Sequence, residues 1–204
     1  MVYKSDPRFK YHYRLLTTRF TDDTMYELIR FKENNDMNDK CIYNIPIKLR
    51  YNNVSFEYPI MILEMNNTTN EIIGIGFTIN RSDTNNLKYN IYSNQNYNRY
   101  TYKSRFHINL NKNSIDYKYY IKKNKNAKEI IEKLTNICFY GKGHLKRGSS
   151  FMCVPDKHIT VELNEILMEL FLKKYKKDKE ILLNLTNFNK IKPETIQKIL
   201  DSEI

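Results

Sequence analysis

Between Tyr140 and Gly148 the chain reads YGKGHLKRG, which holds three of its five glycines, interleaved with Lys142, His144, Lys146 and Arg147 and followed by Ser149 and Ser150. Glycines let successive backbone N–H groups converge on one anion. Lysine adds a point charge and arginine a forked pair of donors, so the chemistry that suits this spacing is phosphate binding. The loop is not a Walker A element, because the G-x-x-x-x-G-K-[ST] order is absent. It keeps only the glycines at the first and third positions of a G-x-G-x-x-G pattern and follows a predicted helix, which argues against a nucleotide fold. The plain alternative is a solvated surface loop.

A second stretch, Lys88 to Lys112, alternates Tyr89, Tyr92, Tyr97, Tyr100 and Tyr102 with Arg99, Lys103, Arg105 and His107. Aromatic faces stack on unpaired bases while Lys and Arg follow phosphates. On a strand, Tyr100 and Tyr102 share a face that the basic residues only partly join, and tyrosine is also an ordinary strand residue. The charge distribution favours the functional reading. Residues 1–83 carry 11 basic and 11 acidic side chains, residues 156–204 carry 9 of each, and residues 84–155 carry 14 against 3, so the central third holds the whole formal +11. Sorting of this kind is the footprint of a surface that meets a polyanion. The expected nucleic-acid-binding set is Tyr89, Arg99, Tyr100, Tyr102, Lys103 and Arg105 with Lys142, His144, Lys146 and Arg147.

Other chemistry has less support. Cys138, His144, Cys153 and His158 are zinc-ligand types in the right number, but the spacing C-x5-H-x8-C-x4-H matches no familiar finger, and Cys138 falls beside an apolar helix face. No metal or cofactor is expected. His107, His144 or His158 could serve as general acid or base with Glu57 or Glu64 as partner. No nucleophile elbow, HExxH or tight acidic cluster accompanies them, and no catalytic residue is assigned. Glu162, Glu165 and Glu169 read as a solvated helix stripe.

These residues need a scaffold. At 204 residues, 41% hydrophobic, with 17 Tyr and 10 Phe, the chain can bury one good core. It has no apolar run long enough to span a bilayer and no leader-like start. Three scattered cysteines suggest a reducing, intracellular setting. Abundant Asn, Lys, Ile and Tyr with a single Ala and no Trp follow AT-rich coding, a bias that resembles proteins of large DNA viruses or of other AT-rich genomes.

Tyr11 to Phe20 reads as a strand, and a helix starts near Thr21, Asp22 and Asp23 with Met25, Leu28 and Ile29 as its stripe. Ile42–Tyr51 and Val54–Met65 read as strands joined at Asn52–Asn53. PIMILEM, NNTTN and EIIGIGFTIN form a hairpin, with Gly74 and Gly76 facing one side for barrel curvature or close approach. Arg99–Leu110 and Ser114–Lys122 suit strands. Asn126 caps a helix along Ile130, Ile131, Leu134 and Ile137. Helices on Leu163–Phe171, Ile181–Leu185 and after Pro193 close the chain. The fold class is therefore α+β, a curved, mostly antiparallel sheet or small β-barrel (residues 1–155) with a helical C-terminal part (residues 156–204) packed on it.

The strand YRLLTTRF, the helix after it and the hairpin PIMILEM…EIIGIGFTIN resemble the PUA-like group, which includes EVE, ASCH and YTH domains, over about residues 11–120. The resemblance is architectural. It implies a small barrel and a nucleic-acid or modified-base reader, but it assigns no residue, since the tryptophan cage of YTH readers is impossible without Trp. The resulting expectation is a nucleic-acid-binding protein for RNA or single-stranded DNA. The alternatives are a nuclease-like enzyme on nucleic acid, or a viral structural protein whose C-terminal helices meet a protein partner. No membrane partner is expected.

Overall fold

A computed structural model describes residues 8–50, 54–83, 89–147 and 151–187. The class is α+β, a curved and mostly antiparallel sheet that does not close into a barrel, with helices at the C-terminal side. Strand β1 (Arg14–Phe20) leads into α1 (Asp22–Asn34), whose N-cap Thr21 accepts from the Thr24 backbone while Thr24 reciprocates. This capping box satisfies donors that a helix start leaves open. Strands β2 (Cys41–Ile45), β3 (Pro59–Asn66), β4 (Glu71–Ile79), β5 (Tyr100–Ser104) and β6 (Phe106–Asn109) follow. Then come α2 (Lys125–Phe139), the short β7 (Met152–Cys153), α3 (Val161–Lys174) and α4 (Lys179–Thr186).

The main sheet has the order β6-β4-β3-β1-β7, and β2 pairs only with β5 in a second sheet. The β3–β4 hairpin forms as its alternation predicts, with a bulge beside Glu64. The β1–β3 pair is parallel, because α1 and β2 carry the chain back across before β3 begins. Period-2 alternation then divides the main sheet into two faces. Met61, Leu63, Ile75, Phe77 and Ile108 face α2, α3 and α4. Leu16, Ile60 and Ile62 face the small sheet and α1, with Tyr43 and Tyr102 between the layers.

Several expected elements differ. Ser114–Lys122 is not a strand. Ser114 Oγ accepts from Tyr117 N at 3.0 Å, which starts a helical turn that runs as a π-turn over Tyr117–Ile121. Asp116 in that turn is buried and holds Lys174 Nζ at 2.6 Å and Asn109 N at 2.8 Å, contacts that lie far apart in sequence. The strand expected from Arg99 to Leu110 is broken at Arg105 and feeds both sheets in turn. Asn124 rather than Asn126 caps α2. The Asn52–Asn53 turn and the helix after Pro193 fall outside the described residues.

Candidate functional site

The glycines of β4 explain the most unusual buried group in the molecule. Glu64 on β3 faces the small sheet and is 5% exposed, as is His107 on β6. Strand β4 lies between them. Gly74 stands opposite Glu64 and Gly76 opposite His107. Neither glycine offers a side chain, so the two side chains meet over β4 with His107 Nε2 3.0 Å from Glu64 Oε1. Nε2 makes no linear hydrogen bond along that line. From the opposite layer Tyr43 Oη donates to the same oxygen at 2.7 Å. A Cβ on Gly74 would overlap Glu64 Oε2 and lie 2.9 Å from His107 Nε2. One on Gly76 would overlap Tyr43 Oη and lie 2.9 Å from the Cβ of Cys41.

Burial alone would raise the Glu64 carboxyl. The His107 charge and contact, Lys32 and the Tyr43 hydroxyl act the other way and hold it at about 2. Burial lifts the Cys41 thiol beside this cluster to about 12, so it is no thiolate nucleophile at neutral pH. The pairing of Glu64 with His107 is one of the acid–base combinations anticipated above. Glu57 instead takes Arg81 at 3.1 Å.

Next to this cluster lies a cavity of about 160 Å³. Thr18, which stands opposite Glu64 in the β1–β3 register, lines it with Arg19, Asn44, Asn67, Tyr92 and Tyr97. At ~30 Å³ per water it has room for about five waters, the scale of one heterocycle rather than a whole nucleotide. Tyr92 and Tyr97 meet edge to face at 6.0 Å. Burial first, then the charges of Glu64 and Glu27, raise the Tyr92 hydroxyl. Asn98, 3% exposed, fixes the tyrosine-bearing segment: its Oδ1 accepts from Ile91 N and Tyr92 N, and its Nδ2 donates to Tyr92 O. Glu27 on α1 accepts from Ser93 N at 3.0 Å and ties the segment to the helix. Asn67 Oδ1 is shielded from solvent and has no hydrogen-bond partner among the described residues.

The glycine loop is anchored to this cavity's wall. Leu145 is buried, and its N–H donates to Cys138 O at 2.9 Å. Arg19 Nη1 donates to Leu145 O at 3.2 Å and Asn67 Nδ2 to Lys146 O at 3.1 Å. Gly141 and Gly143 take positive φ with open space where a Cβ would sit, the conformation that favours glycine. Lys142 and Arg147 are exposed and Lys146 half-buried. His144 Nδ1 accepts from Lys146 N at 3.3 Å, a contact internal to the loop. Residues 148–150 lie outside the described residues.

The tyrosine-rich stretch is placed differently from the expectation. Tyr89 and Tyr102 are 1% and 0% exposed. They are core residues with no open ring face for a base, because the small sheet must fill the layer against β3 and β4. Lys103 lies over the Tyr89 ring and bonds its hydroxyl, and burial lowers its pKa. Arg105 pairs with Asp178 at 2.8 Å and so joins the sheet to the C-terminal helices. Arg99 is exposed and bonds Asn96 at 2.7 Å, and Tyr100 is half-buried. The structure thus ties the glycine loop to Arg19 and Asn67, which line the same cavity as Tyr92 and Tyr97, while Lys103 and Arg105 serve internal contacts.

Thr18, Arg19, Asn44, Asn67 and Asn98 were not anticipated. Only the run of asparagines between 90 and 98 hinted that backbone groups there needed side-chain partners. Among the described residues no three His, Cys, Asp or Glu side chains are grouped to hold a metal ion, and no helix is long and apolar enough to cross a membrane. No family model matches the chain, and neither a curated protein nor a solved structure is matched by it.

Proposed function

We propose that this chain binds nucleic acid, RNA or single-stranded DNA, with one unpaired base entering the cavity beside Tyr92 and Tyr97 and the phosphates held by the glycine loop at its wall. The observation that carries this is the tether of Leu145 and Lys146 to Arg19 and Asn67, two of the cavity's own lining residues. It joins a basic, glycine-shaped loop to an aromatic and polar recess of heterocycle size. The kinship to PUA-like domains belongs to the same proposal. It is supported by the order strand, helix and hairpin over β1 to β6, while the open sheet departs from a barrel. Free cysteines, two of them buried, agree with a reducing compartment.

The test pairs affinity with stability. Lys142→Ala, Lys146→Ala and Arg147→Ala together are expected to leave the melting temperature near wild type, since exposed changes usually cost no more than ~0.5 kcal/mol each. Affinity for a single-stranded RNA or DNA oligonucleotide should fall, and the slope of log K against log salt should flatten by about two units, at ~0.7 per lost phosphate contact. No binding of either oligonucleotide to the wild type at low salt would sink the reading.

A further inference from the structure

A second exposed feature lies at the other end of α2. The 15 residues of that helix span about 22 Å at 1.5 Å each. The glycine loop follows its C-terminus, and the turn around residues 115–121 precedes its N-terminus. There Ile115 is 75% and Tyr119 78% exposed, the two most exposed large hydrophobic side chains among the described residues. They are four apart on a helical turn and therefore share a face. Lys118, Lys122, Lys123 and Lys125 surround them, all exposed. Two of the nearby acids are engaged. Asp116 is buried on Lys174, and Glu129 lies 3.8 Å from Lys125. Behind the turn, Tyr117 and Ile121 line a groove of about 640 Å³ with Ile73, Leu110 and Ile131, its rim carrying Glu71, Lys112, Lys128 and Glu132.

We propose that this knob is a docking surface for an anionic phospholipid bilayer. Ile115 and Tyr119 insert at the headgroup level, and the lysines meet the lipid phosphates and carboxylates. Three features select this partner. An apolar pair this exposed projects outward, and a soft interface accepts it without a complementary pocket. Apolar side chains flanked by lysines are the composition of interfacial anchors. A second copy of the chain would set lysine against lysine, and of the exposed pair only Tyr119 offers a base a face to stack on, which would leave Ile115 unused. This is contact with a membrane surface and requires no spanning helix. It is independent of the nucleic-acid proposal, which concerns the opposite end of α2.

The experiment is flotation of the full chain with phosphatidylcholine vesicles, with and without phosphatidylserine. Binding is expected only when phosphatidylserine is present, and it should weaken as salt rises. Lys118→Gln, Lys122→Gln and Lys123→Gln should each weaken it about fivefold, the equivalent of ~1 kcal/mol per basic residue near the surface. Ile115→Ser with Tyr119→Ser should weaken it at least tenfold with an unchanged thermal melt and unchanged oligonucleotide affinity. The proposal is overturned if the wild type does not float with phosphatidylserine vesicles at low salt. It is equally overturned if the double serine variant floats like wild type, which would leave charge alone as the cause. A Tyr119→Ser variant that loses oligonucleotide binding but keeps flotation would reassign the knob to nucleic acid.

Discussion

Replacing Gly74 by alanine adds one methyl group where the chain has no space for it. Neither Gly74 nor Gly76 takes positive φ, so the backbone tolerates alanine, and removing a glycine from the unfolded chain should by itself help by ~0.4–1 kcal/mol. The new Cβ would overlap the Glu64 carboxylate and crowd His107 Nε2 at 2.9 Å. Glu64 cannot swing to water, since it is enclosed by Tyr43 and the small sheet. The methyl group must therefore separate Glu64 from His107, and breaking a buried pair typically costs ~3–5 kcal/mol. The net expectation is a loss of about 3 kcal/mol, or roughly 6–12 °C in melting temperature at ~2–4 °C per kcal/mol for a chain of this size. Urea unfolding at neutral pH measures it directly. A double-mutant cycle supplies the control. In a Glu64→Ala background the methyl group has room, and the Gly74→Ala cost should fall close to zero. A Gly74→Ala protein within about 0.5 kcal/mol of wild type, or one that loses as much with Glu64 absent as present, would refute the account of these glycines as a cradle.

The same pair predicts a pH response. Glu64 is held at about 2 against an ordinary 4.5, so the unfolded chain takes up the proton first. The stability this contributes, on the order of 3 kcal/mol at 1.36 per unit, is present above pH 4.5 and lost as pH falls towards 2. Denaturation profiles of wild type and His107→Gln should show a smaller acid-side loss in the variant, whose Glu64 lacks the neighbour that does most to lower it. Lys174→Met should cost about 2–4 kcal/mol by leaving the buried Asp116 carboxylate without its cation, read as a lower urea midpoint, and an unchanged midpoint would show the contact to be idle. Arg105→Ala should cost no more than ~1 kcal/mol, because its pair with Asp178 is partly solvated. Tyr97→Ala should weaken oligonucleotide binding by ~1–3 kcal/mol, the usual worth of a base–aromatic contact, and equal affinity would place the base elsewhere.

Local pattern was sufficient for much of this molecule. The start of α1 near Thr21, Asp22 and Asp23, the β3–β4 hairpin, the apolar stripes of α2 and α3, and the α+β class all follow from spacing, because hydrogen bonding within a helix or hairpin is settled by neighbours in sequence. A glycine-rich loop is expected to leave all four of its basic side chains exposed, which holds for Lys142 and Arg147 but not for His144 and Lys146, half-buried on either side of the buried Leu145. Tertiary structure decided what depends on distant partners. Ser114–Lys122 has strand-like composition, yet Asp116 is claimed by Lys174, and the segment turns helical to present it. Tyr89 and Tyr102 read as an open aromatic row, yet folding the small sheet over β3 and β4 consumed both rings. Gly74 and Gly76 announced a close approach. That the approaching groups are Glu64, His107 and Tyr43 required three strands and two layers to meet, an arrangement that no single window of residues encodes.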